Sequence, residues 1–171
     1  ERKVSTTTNC VRIINNLIKD DSLGERVVPI VPDEARAFGM EGMFKQIGIY
    51  SSEGQLYEPE DADQVMWYKE SETGVMLEEG ITEAGSFAAW TALATSYSSH
   101  NLTMIPFYVF YSMFGFQRVH DLAWAAGDAR AKGDIFVHNG GSVHNENPLL
   151  PYPYVPAGQG HLLPTQQPKK S

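Results

Sequence analysis

Glu83 is a lone carboxylate at the start of an apolar helix. It lies in the segment EEGITEAG at Glu78–Gly85, and Phe87, Ala88, Ala92, Leu93 and Ala94 follow it. A second segment, MIPFYVFYSMFGFQR at Met104–Arg118, ends an apolar strand in a burst of aromatics, Tyr111, Phe114 and Phe116. Taken singly, each fits an ordinary role. The helix macrodipole favours an acid on the first turn, and aromatics near a strand end usually fill a core. Together they fit something more specific. A carboxylate facing a ring nitrogen can donate or accept one proton, and an aromatic wall can hold that ring flat. The pair therefore suits a basic heteroaromatic cofactor. A further acidic pair, Asp33 and Glu34, follows the apolar run Val27–Val31. In open α/β sheets ligands gather at the carboxyl ends of strands, which is where this pair would stand.

The elements that must position these residues can be read from periodicity. Ser5–Thr8 offer helix caps, and Asn9 to Asp20 carries apolar residues at helical spacing. Val27–Val31 reads as a buried parallel strand, with Pro29 and Pro32 counting against it. Glu53 to Lys69 is a long polar connection, of the kind that is functional or disordered in compact domains. Thr82 to His100 predicts a helix, Met104 to Phe110 a strand and Ser112 to Ala131 a second helix. This order predicts an α/β fold, a parallel sheet with flanking helices. From His138 onward the period is lost, and six of the ten prolines lie there. That stretch reads as a disordered proline-rich tail.

Composition sets the outer bounds. The chain has 171 residues, 42% hydrophobic and 20% charged, enough for one domain with its own core. Its net charge of −8 argues against nucleic acid as a partner. Nine acids stand against the single Lys69 between Glu53 and Glu79, which fits a solvated acidic loop. No apolar run is long enough to span a membrane, and no stretch reads as a signal peptide. The single Cys10 lies among Val11, Ile13, Ile14 and Leu17, so it reads as a buried structural thiol in a reducing compartment. The chain opens at Glu1 and not at a methionine, and its natural start is expected upstream.

Three blocks carry a resemblance: VPDEARAFGMEGMFKQIGIYS, LEEGITEAG and MIPFYVFYSMFGFQRVHDLAWAAGDARAKG. They resemble the decarboxylating component of the pyruvate dehydrogenase complex, of the homodimeric bacterial type, in one register from about Ser5 to Gly133. The resemblance implies the pyrimidine-side domain of a thiamine diphosphate-binding fold. Glu83 matches the family's catalytic glutamate, which would hydrogen-bond a ring nitrogen of the cofactor's aminopyrimidine. The imino tautomer so favoured takes the proton from the thiazolium carbon, which then attacks pyruvate, and carbon dioxide leaves. Phe114 matches the aromatic that packs on the pyrimidine, and Tyr111 a tyrosine of the substrate cavity. Asp33 and Glu34 match an acidic pair at the active centre, with Glu34 close enough to Glu83 to couple their protons. Glu53–Lys69 matches a loop that orders over the bound intermediate. The resemblance also implies a homodimer, the dihydrolipoamide acetyltransferase core as partner and a bacterial cytoplasm, with an organelle left open.

The departures are as specific. The family's motif for its substrate histidine and glutamate, expected after Gly133, is not there; Asp134–His138 and the proline-rich tail stand in its place. Neither is the Gly-Asp-Gly motif with a downstream Asn through which the family holds Mg²⁺ and the diphosphate. The expected organisation is therefore an incomplete pyrimidine-binding domain at residues 1–133 and a divergent tail at 134–171. One reading is a fragment of a thiamine-dependent pyruvate dehydrogenase, inactive alone. The alternative is a non-catalytic interaction protein that keeps the dimer surface, with PYPYVP at Pro151–Pro156 as a polyproline ligand.

Overall fold

The computed structural model describes residues 6–32, 35–36, 38–59, 68–111 and 114–138. In chain order the elements are α1 (Thr6–Ile18), β1 (Val27–Val31), α2 (Glu41–Ile47), β2 (Ile49–Tyr50), β3 (Glu70–Ser71), β4 (Leu77–Glu78), α3 (Glu83–Ser99), β5 (Ile105–Tyr111), α4 (Gly115–Asp128) and β6 (Asp134–His138). Four strands form one parallel sheet in the order β4-β1-β5-β6. This is the α/β arrangement that the sequence predicts.

The sheet is buried on both faces because its central strands are apolar at every position. All five residues of β1 are buried, as are Pro106 to Phe110 of β5. Val27, Val31, Phe107 and Val109 join one core with Cys10, Val11 and Ile14 of α1 and Met43 and Phe44 of α2. Val28, Ile30, Tyr108 and Phe110 join the other with Phe87, Trp90 and Ala94 of α3 and Val119, Ala123 and Ala126 of α4. Period-2 alternation thus feeds two cores from one strand. Pro29 is tolerated in β1 because β4 pairs with β1 only from Ile30, so at Pro29 the ladder runs to β5 alone.

Several elements were not expected. Helix α2 has only seven residues, and β2, β3 and β4 have two each, too few for any period to register. Of these, α2, β2 and β3 form a small annex in which β2 pairs with β3, and a bridge from Ile49 to Met76, the residue before β4, joins it to the main sheet. Gly74 makes this possible, since a Cβ there would overlap the backbone carbonyl of Ile49. Asp134–His138, placed by the sequence at the head of the tail, is strand β6, paired with β5 from Phe107↔Asp134 to Tyr111↔His138. Helix α4 starts at Gly115 and ends at Asp128, inside the bounds that its periodicity suggests.

Candidate functional site

In a parallel sheet the carboxyl ends of all strands share one edge. Here β4 ends at Glu78, and the chain crosses Gly80 at φ +78° before entering α3. Only a residue without a Cβ takes that conformation freely. Thr82 caps the helix, its hydroxyl accepting from the Gly85 amide at 3.2 Å. Glu83 is therefore the first helical residue, as the sequence suggests, and its carboxylate lies in the first turn.

Glu83 is only 5% exposed, and it is the one charged residue in the buried class among those described. A buried carboxylate needs a partner within the protein. Arg118 of α4 supplies it, Nη1 to Oε2 at 2.7 Å. The Arg118 side chain is 48% exposed, and its guanidinium also lies over the Phe114 ring, 4.7 Å from its centroid. Phe114 meets Tyr111 edge-on at 6.3 Å, and Tyr111 packs on Phe38 at 5.0 Å. The structure thus brings Glu83, Phe114 and Tyr111 into one connected cluster at the carboxyl end of β5.

Two members of that cluster carry no role in the sequence reading. Arg118 is given no role there, although its four-residue spacing from Phe114 puts both on one helical face. Phe38 lies in the block after β1, where no period singles it out. Of the other expected site residues, Asp33 and Glu34 lie outside the described residues, as does the side chain of Phe116. Residues 60–67 of the long connection and the PYPYVP segment also lie outside them. The two ends of that connection are tied together. Glu70 Oε1 accepts from the Tyr57 hydroxyl at 3.2 Å and the Tyr68 hydroxyl at 2.9 Å, and the Glu70 amide donates to Gln55 Oε1.

Beneath Glu83 lies Tyr108 of β5, fully buried, whose hydroxyl donates to the Glu83 main-chain carbonyl at 3.3 Å. Burial, followed by the Glu83 charge, pushes this hydroxyl above its usual range, with Ser86 opposing. Burial and the charge of Asp134 push the Cys10 thiol up to about 12, so it stays a thiol at neutral pH, as a structural cysteine should. Among the described residues no group of three or more His, Cys, Asp or Glu could hold a metal ion, and no helix is long and apolar enough to cross a membrane.

Comparison with known proteins gives the family of the chain. Residues 1–149 match the middle domain of the pyruvate dehydrogenase E1 component, a match that continues past Gly133. The pyruvate dehydrogenase E1 component of Pseudomonas aeruginosa is 68% identical over 133 residues, which is 78% of this chain and 15% of that protein. The component of the same name from Cupriavidus necator is 62% identical over 132 residues, 77% of this chain and 15% of its own length. That of Escherichia coli K12 is 58% identical over 132 residues, with the same coverage of 77% and 15%. The chain thus spans about 15% of the length of the curated relatives it matches.

Proposed function

This chain belongs to the pyruvate dehydrogenase E1 component family, through the middle domain, and from that premise we propose that it forms the pyrimidine-facing wall of a thiamine diphosphate site. The reaction is the oxidative decarboxylation of pyruvate with acetyl transfer to lipoyl groups. The whole protein works as a homodimer beside a dihydrolipoamide acetyltransferase core, in a bacterial cytoplasm. The single observation that carries the reading is the buried Glu83 carboxylate, held in the first turn of α3 within one cluster with the Phe114 ring.

The donor set suits the ring half of this cofactor. When bound, thiamine diphosphate supplies an electron sink for carbanion chemistry. Glu83 would hydrogen-bond a ring nitrogen, and its low exposure keeps water from competing for that bond. Arg118 ties Oε2. Phe114 offers a face for stacking, and Tyr111 lines the substrate side. Asp33 and Glu34, next in sequence after β1 and Pro32, are the proposed acidic pair of the active centre. Glu53–Lys69 is the proposed cover over the reacting centre. Mg²⁺ and the diphosphate are held by a part of the protein that this sequence does not contain.

The test uses the full-length protein that carries this segment. Glu83→Ala should abolish pyruvate decarboxylation with an artificial electron acceptor while leaving the circular dichroism spectrum unchanged. Retained turnover would sink the proposed role of Glu83. The 171-residue chain alone, given thiamine diphosphate, Mg²⁺ and pyruvate, should show no turnover.

A further inference from the structure

We propose that Tyr108 is a positioning residue for Glu83, its buried hydroxyl fixing the helical turn from which the carboxylate is presented. The proposal rests on the reading of Glu83 given above. Glu83 is held at two points by two different elements. Arg118 of α4 ties the carboxylate, and Tyr108 of β5 ties the main-chain carbonyl. The two supports differ in stiffness. Arg118 is half exposed, on a long flexible stem, and can follow the carboxylate if that moves. Tyr108 cannot. It is fully buried in a strand paired on both sides, and its ring is wedged against Phe110 at 4.7 Å and Phe87 at 5.8 Å. Close packing of this kind leaves no second place for the hydroxyl.

The bond is not needed to complete the helix. In a helix starting at Glu83, that carbonyl already accepts from the amide four residues on. The cap is satisfied separately, by Thr82 with Gly85 and by the Ser86 hydroxyl with the Thr82 carbonyl. What the Tyr108 hydroxyl adds is a fixed relation between the first turn of α3 and the central strand. Catalytic groups lose much of their effect when displaced by about 1 Å, so a fixed relation has value beyond stability. The hydroxyl is also a dependable donor, because burial and the Glu83 charge keep it protonated.

Tyr108→Phe removes one hydroxyl and keeps the ring. In the isotope-labelled 171-residue chain at neutral pH, the Glu83 carboxyl carbon and Arg118 Nε–H resonances should move. The bonded amides at the start of α3, those of Gly85 and Ser86, should exchange about five- to tenfold faster, the size of one lost hydrogen bond, while those of α1 and β1 hold. Unmoved Glu83 and Arg118 signals would overturn the proposal. So would a collapse of amide dispersion across the chain, which would make the hydroxyl a general stabiliser. In the full-length protein the same substitution should lower kcat about tenfold with KM for pyruvate held within about twofold. Rising KM at constant kcat would count against it. The resonance test needs no cofactor, so it can fail while the reading of Glu83 stands. Glu83→Gln in the full-length protein decides that reading separately.

Discussion

At the level of single residues, the burial of Glu83 sets the requirement and Arg118 meets it. Arg118→Ala should leave the carboxylate buried without a cation. A charge-assisted hydrogen bond contributes roughly 1.5–3 kcal/mol, and half-exposure of the Arg118 side chain brings that down to about 1–2 kcal/mol. Urea unfolding should show this loss, and Glu83→Gln in the Arg118→Ala background should restore part of it; additive losses would mean that the pair is not coupled. Asp134 gives the pH-dependent case. Burial holds its carboxyl above the ordinary 3.8, so the folded chain binds that proton more tightly than the unfolded chain. The stability it contributes is present below pH 3.8 and is lost as pH rises through the folded value. Asp134→Asn should therefore raise the urea midpoint near pH 7 and leave it unchanged near about pH 3; an equal gain at both would remove ionisation as the cause. Glu83, Phe114 and Tyr111 were legible in the sequence because their types and neighbours are unusual together. Arg118 was not, because its partner stands 35 residues away and only the fold brings them together.

Among the elements, legibility followed length and apolar content. Strands β1 and β5 and helix α3 were readable, since continuous apolar runs and helical spacing survive over five, seven and seventeen residues. The annex of α2, β2 and β3 was not, nor was β4 of the main sheet, because two-residue strands are defined by pairing and not by pattern. What specifies the annex is backbone contact, and Gly74 is where that can be tested. Gly74→Ala drives a methyl group into the Ile49 carbonyl, with no side chain that can move aside. Its cost should lie toward the top of the roughly 1–3 kcal/mol typical of over-packing. Gly127→Ala in α4 is the control: nothing lies within 4 Å of the added Cβ, so it should stabilise by about 0.5–1 kcal/mol. Guanidinium melts of the two variants should therefore shift in opposite directions. A neutral Gly74→Ala would show that the annex can part from the sheet at little cost.

For the whole molecule, the question is where the folded unit stops. The family motif missing after Gly133 suggests a boundary there, although the period is lost only from His138 onward. In the structure Asp134–His138 pairs with β5 along five consecutive positions. Trp90 adds a tie, its indole N–H donating to the Asp134 carbonyl at 3.2 Å, and Ile135 is buried in the core formed with α3 and α4. Gly133 permits the close packing at the start of β6, since a Cβ there would come within 2.8 Å of Pro106 and 2.9 Å of Trp90 Nε1. Removing β6 would strip β5 of a neighbour and bare a row of backbone groups on the most apolar strand, an edge prone to pairing with other chains. A chain ending at His138 should therefore keep a single cooperative urea transition. A chain ending at Gly133 should lose it or aggregate. Equal stability of the two would make β6 an appendage and return the boundary to Gly133; a further gain in a chain ending at residue 149, where the family match ends, would move it outward.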